Sequence, residues 1–172
     1  MIEARGDIFG LAEKDEVGVA VITTNGFVKI NGKAVMGRGC ALKALQLYPG
    51  IDVELGKRIK RCGNVPHVLR PKLVTFPVKP ALVVVSNDNI VAHMKHNFSI
   101  GDTAPGWAAR ADPTIIEHSA KLIVKLADAS MKDNRFYLPR PGCGAGELCW
   151  KDVRQILSQI LDDRFACCTF NE

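Results

Sequence analysis

Two short stretches hold the residues best suited to chemistry. Leu138 to Trp150 reads LPRPGCGAGELCW, with Gly142, Gly144 and Gly146 between an apolar run and a helix-like segment, and Met36 to Ala41 reads MGRGCA. Glycine lets the backbone take positive φ and approach a ligand closely. Successive N–H groups can then converge on an anion beside the positive end of a following helix. Each loop alone is a weak signal, but two of them on one sheet edge can clamp a diphosphate from both sides. Glu147 is either a general base for a water or a first-turn acid favoured by the helix dipole. Cys143 lies near a helix start, yet no histidine is paired with it, which argues against a thiol nucleophile.

Neither loop is one of the familiar nucleotide motifs. Leu42 and Glu147 stand where a GxGxxG fingerprint needs its third glycine, and GxxxxGK[ST] and GxSxG are both absent. The four histidines (His67, His93, His96, His118) are dispersed and the six cysteines form no CxxC pair. Neither a metal site nor a cofactor is therefore expected, and the thiols read as reduced. The net charge of +5 is unevenly laid out: between Leu55 and Asn87 there is no acid, against Lys57, Arg58, Lys60, Arg61, Arg70, Lys72 and Lys79. That stretch, 57–79, is a solvated face or a contact for nucleic acid or another anion. No apolar run approaches the roughly 18 residues that span a bilayer, and the start lacks the blocks of a secretion signal. A cytoplasmic monomer with no membrane contact is expected.

The elements that must position these loops alternate. Ile2 to Phe9 reads as a short strand and a turn projecting Asp7. Val17 to Thr24 is apolar and β-branched, as a central strand buried on both faces should be. It ends at Asn25-Gly26, so Asn25 stands at the carboxyl end of that strand, where open α/β sheets bind ligands; simple turn chemistry is the alternative. A buried helix, ALKALQLY, follows the first glycine loop, and Ile51 to Cys62 forms an amphipathic one. Lys72 to Val78 and Ala81 to Ser86 read as strand, broken or bent by Pro77 and Pro80. Residues 87–111 have no steady period and read as a long irregular surface insertion, a form often used as a lid. Asp112-Pro113 starts a helix with an N-cap and a proline at its first position, its buried stripe being Ile116, Ala120, Ile123 and Ala127. Arg135 to Leu138 feeds the second glycine loop, the next helix buries Val153, Ile156, Leu157, Ile160 and Leu161, and Arg164 to Phe170 closes the chain. With 172 residues and 47% hydrophobic content, this gives one α/β domain, 1–172, with helices on both faces of a mixed sheet.

In order and spacing, GDI (Gly6 to Ile8), VITTN, MGRGCA with its apolar helix, VTFPVK and LPRPGCGAGELCW resemble the macro domain, an ADP-ribose-binding fold, and look closest to the bacterial and phage branch near the terminal ADP-ribose glycohydrolases. The resemblance covers the chain apart from 87–111. It implies that Asp7 accepts from the adenine amino group with the Ile8 backbone beside it, a sensible choice because a carboxylate only accepts. It implies that Asn25 reaches the distal ribose, the first Asn of the family's NxxN being Ile22 here. Met36, Gly37, Arg38, Gly39, Cys40 and Ala41 would lie on that ribose and one phosphate. Gly142, Cys143, Gly144, Ala145 and Gly146 would hold the diphosphate, and Phe170 would lie against adenine. In that branch a lysine in the helix after the first loop and an aspartate in the second loop carry the reaction. The matching positions here are Leu45 or Gln46 and Gly146, and Lys43 is out of register, which argues against a covalent lysine mechanism. Glu147 remains as the base. The functions implied are hydrolysis of ADP-ribose adducts or of ADP-ribose 1″-phosphate, with a non-catalytic reader of ADP-ribosylated protein or nucleic acid as the alternative. The partner is ADP-ribose or a macromolecule carrying it.

Overall fold

The computed structural model describes residues 1–169. Its strands are β1 (Ile2–Arg5), β2 (Gly18–Asn25), β3 (Val68–Arg70), β4 (Leu73–Lys79), β5 (Leu82–Val84), β6 (Thr103–Pro105), β7 (Arg135–Pro139) and β8 (Phe165–Thr169). Six of them form one sheet in the order β1-β8-β7-β2-β4-β3, parallel throughout except for the antiparallel pair of β3 with β4. Alternation along β2 divides its side chains between two cores. Val19 and Val21 pack with α4 (Pro113–Ser130) and α5 (Trp150–Leu157), whereas Ala20 and Ile22 pack with α1 (Ile8–Lys14), α2 (Gly39–Leu47) and α3 (Ile51–Cys62). The result is a three-layer α/β/α architecture with a mixed central sheet.

The start of α4 follows from its sequence: Asp112 Oδ1 accepts from Thr114 N at 2.8 Å and Pro113 takes the first helical position. Phe136 and Phe165 on neighbouring strands stack at 4.8 Å between ring centroids beneath it. Both rings are fully buried, so truncating either to alanine would cost about 3–5 kcal/mol.

Four expectations change. The N-terminal strand stops at Arg5, and Ile8 begins a helix, because the Asp7 carboxylate accepts from Gly10 N at 3.1 Å and caps it. β4 continues through Pro77 to Lys79 and breaks only at Pro80: the register against β2 shifts at Thr24/Asn25, and such an irregularity accommodates a residue without an N–H. The helix α5 ends at Leu157, so Ile160 and Leu161 lie beyond it. Segment 87–111 is folded. β6 pairs with β5, short 3₁₀ turns span Ala92–Asn97 and Gly106–Ala108, and Val85, Ile90 and Ala104 form a small core of their own.

The ends of this excursion are fastened to the sheet. Gly106 N donates to Ala81 O at 2.7 Å and Asp112 N to Val78 O at 2.9 Å. A Cβ on Gly106 would collide with the Pro80 carbonyl, so only glycine permits this approach. Because the sheet is almost wholly parallel, Asp7, Asn25, Lys79 and both glycine loops all come to its carboxyl edge. From β1 to β4 is four strand steps, roughly 19 Å at the usual spacing.

Candidate functional site

Asp7 marks one end of this line. Its Oδ2 takes Gly10 N and also the Lys43 ammonium at 2.8 Å, so the lysine of α2 is engaged at this end of the line. The Ile8 N–H, in the first turn of α1, donates to no acceptor among the described residues, while the Ile8 side chain is buried. Phe170, expected against adenine, lies outside the described residues.

Asn25 is committed to the backbone. Its Nδ2 donates to Val35 O and its Oδ1 accepts from Phe27 N, both at 3.0 Å, so it holds the connection leading to the first glycine loop. Within that loop Gly37, Arg38 and Gly39 are exposed, and their N–H groups have no acceptor among the described residues. Met36 and Ala41 are buried in the core, so only their backbones are available to a ligand. The thiol of Cys40 receives Thr23 N at 3.3 Å, and burial pushes its pKa up; it packs the loop onto β2.

The second loop divides its glycines between two tasks. Gly142 (φ +75°) and Gly146 are buried: a Cβ on Gly142 would sit 2.9 Å from Ala111 Cβ, and one on Gly146 2.6 Å from the same atom. Gly144 has nothing within 4 Å of its Cβ position. The N–H groups of Gly144, Ala145 and Gly146 make no hydrogen bond among the described residues, which leaves three successive donors for an anion. Burial pushes the Cys143 thiol up to about 11, so it remains protonated and is no nucleophile.

Between the loops stands a residue that sequence reasoning passed over. Lys79 ends β4 at 8% exposure, and its Nζ donates to Ala145 O at 2.9 Å and to Trp107 O at 3.3 Å. Burial pushes its ammonium down to about 8; Glu147 in the second loop pulls it back up, and Arg38 in the first pushes it down. Charged groups of both loops thus act on one lysine. An ammonium has three donors, and the two carbonyls use two of them. The signal was present in VTFPVK: a lysine closing an otherwise apolar strand, at the edge where ligands bind. In the sequence it reads instead as one of the basic stretch 57–79.

Glu147, expected as the general base, is bonded to the excursion. Its Oε1 accepts from Ala92 N at 2.9 Å, its Oε2 lies 3.8 Å from Arg110 Nε, and its carbonyl accepts from Arg110 Nη2 at 2.7 Å. Its carboxylate thus ties the second glycine loop to segment 87–111.

The basic stretch is not one face. Arg58 and Arg70 both pair with Glu54, Lys72 donates to Asp15 O, and Lys79 is buried. Lys57, Lys60 and Arg61 are exposed and make no ion pair among the described residues. A cavity of about 270 Å³, lined by Glu3, Ala4, Arg5, Arg140 and Thr169, opens beside the ends of β1 and β8. Another of about 280 Å³ lies between the excursion and the start of α4. No helix among the described residues is long and apolar enough to cross a membrane.

This arrangement, with two glycine loops at the carboxyl edge of a six-stranded mixed sheet, is the macrodomain fold. The chain superposes over its whole length on the macrodomain of Mycobacterium tuberculosis DarG (TM-score 0.65, 21% identity, 98% of that chain) and on that of Thermus aquaticus DarG (TM-score 0.65, 19% identity, 99% of that chain). Over 96% of its length it also matches Thermosipho africanus DarTG, solved in complex with ADP-ribose (TM-score 0.63, 16% identity, 40% of that chain). No protein-family model and no curated protein sequence matches the chain.

Proposed function

We propose that the chain binds ADP-ribose along the carboxyl edge of the sheet and hydrolyses ADP-ribosyl adducts or ADP-ribose 1″-phosphate, with Lys79 at the reacting end. The observation that carries this reading is the convergence on Lys79. A buried ammonium with a lowered pKa stands where the two loops offer unpaired N–H groups, and a macrodomain-fold neighbour was solved with ADP-ribose. Adenine lies between Asp7 and the Ile8 N–H, the diphosphate on the N–H groups of Gly144 to Gly146, and the distal ribose beside Gly37 to Gly39. Asn25 shapes the ribose end through its hold on Val35.

Lys79 then acts as general acid. As the bond from the distal ribose to its leaving group breaks, Lys79 gives a proton to the departing atom and water adds to the anomeric carbon. A donor with a pKa of about 8 is well matched to that work near neutral pH. Lys57, Lys60 and Arg61, exposed and unpaired with any described acid, favour a polyanionic macromolecule as carrier of the ADP-ribose. The competing reading is a reader that binds the modified macromolecule without turnover.

Calorimetric titration with ADP-ribose, followed by incubation with ADP-ribose 1″-phosphate and with ADP-ribosylated protein and DNA, separates these readings. Binding with product release supports the hydrolase, binding alone supports the reader, and absence of binding sinks both.

A further inference from the structure

Glu147 has φ +59° and is the one non-glycine residue at positive φ among those described. Its neighbour Gly146 would be forced by packing to stay glycine, but nothing of that kind explains an acidic side chain in a left-handed backbone, which glycine adopts without strain. What the side chain touches does explain it. Oε1 accepts the Ala92 N–H, and Oε2 faces Arg110. Arg110 in turn donates to the Glu147 carbonyl and to Asp88 O.

The excursion grips the second glycine loop at three further points. Ala111 N donates to Gly146 O at 3.0 Å, the Gly146 Cβ position abuts Ala111, and Lys79 joins Trp107 O to Ala145 O. Residues 145, 146 and 147 are therefore all held from segment 87–111. The same three-residue stretch supplies two of the free N–H groups assigned to the diphosphate.

We propose that Glu147 is a positioning residue: it latches segment 87–111 onto the second glycine loop and thereby fixes the loop's N–H groups and the Lys79 ammonium for the ligand. This rests on the ADP-ribose reading of the site. The excursion is then a structural part of the diphosphate subsite. The charged groups acting on Lys79 are Glu147 from the second loop and Arg38 from the first, so the latch also contributes to the charge state of the lysine.

Two substitutions test this. Glu147→Gly removes the latch while relieving the backbone, so the variant folds. Glu147→Gln keeps an acceptor for the Ala92 N–H and removes the charge. In Glu147→Gly the Ala92 amide should exchange with solvent at least about tenfold faster, as local opening predicts, and ADP-ribose affinity by calorimetry should fall by about the same factor. Glu147→Gln should restore both to near wild type, while Lys79, followed by NMR titration of its side chain, should deprotonate at lower pH.

Unchanged Ala92 exchange in Glu147→Gly overturns the latch, and unchanged affinity overturns the positioning role. Loss of affinity in both variants with Ala92 protected would make Glu147 a ligand contact and overturn it as well. A wild-type protein that binds no ADP-ribose overturns the reading of the site instead, and the exchange rate at Ala92 still decides the latch separately.

Discussion

Lys79 Nζ donates to the Ala145 carbonyl at 2.9 Å, and this bond passes over the end of β2, because β2 lies between β4 and β7 in the sheet. The two strands that flank the central one are thereby joined across the mouth of the site. Any ligand seated there meets the lysine and the second glycine loop as one unit.

Lys79→Met should separate chemistry from binding. Turnover of ADP-ribosyl substrates should fall by at least about a hundredfold, the usual scale for losing a general acid. ADP-ribose affinity should change by less than about fivefold, because the loop N–H groups remain. Steady-state kinetics beside calorimetry read both quantities, and normal turnover in the variant would reduce Lys79 to a structural tie.

The same lysine gives a signed dependence of stability on pH. Its pKa is lowered from 10.5 to about 8 in the folded protein. Between those values the unfolded chain holds the proton and the folded chain does not, so this group makes the unfolding free energy rise with pH. The full effect is on the order of 3 kcal/mol. Tyr137, raised mainly by burial, works in the opposite direction at high pH. The quantity to measure is therefore the difference between wild type and Lys79→Met in denaturant titrations from pH 7.5 to 10.5, which should shift steadily in favour of wild type.

Gly144 and Gly146 should respond differently to a single methyl group. Gly146→Ala places its Cβ 2.6 Å from Ala111 Cβ and should destabilise the fold by about 1–3 kcal/mol, as overpacking does. Gly144→Ala meets no atom within 4 Å and should leave the melting temperature nearly unchanged while weakening ADP-ribose binding. Equal stability losses in thermal melts would contradict this division.

Asp7 caps α1, and two substitutions separate that role from the proposed recognition of adenine. Asp7→Ala removes the cap on α1 and should cost about 1 kcal/mol; the half-exposed ion pair with Lys43 adds little to that. Asp7→Asn retains a capping oxygen, so its stability should remain near wild type while its preference for adenine over hypoxanthine nucleotides diminishes. Competition binding with the two nucleotides checks this.

Much of the architecture was legible because periodicity reports burial directly. The central strand expected at Val17 to Thr24 runs from Gly18 to Asn25, with Val17 exposed before it, and the stripe Ile116, Ala120, Ile123 and Ala127 is buried as its spacing required. The short helix α1 was hidden because its cap, Asp7, directly follows a strand and its interior contains Gly10. The excursion was hidden because its strand β6 is three residues long, too short for an alternation to register. Lys79 shows a different limit. A lysine in a basic run looks like surface until tertiary packing supplies two carbonyls for its ammonium, and no local pattern encodes Trp107 or Ala145 as its partners.

The excursion leaves the sheet after Lys79 and returns at Asp112, whose N–H bonds back to Val78 O. Its two ends are thus neighbours, and closing a longer or shorter segment between them changes the chain entropy only slowly with length. Such a segment is exchangeable. Variation in its length or sequence would leave the register of β4 and the cap of α4 intact while replacing Ala92, Trp107 and Arg110, the residues that meet Lys79 and the second glycine loop. A change confined to this segment would thus reset how the second glycine loop is held, and leave the sheet as it is.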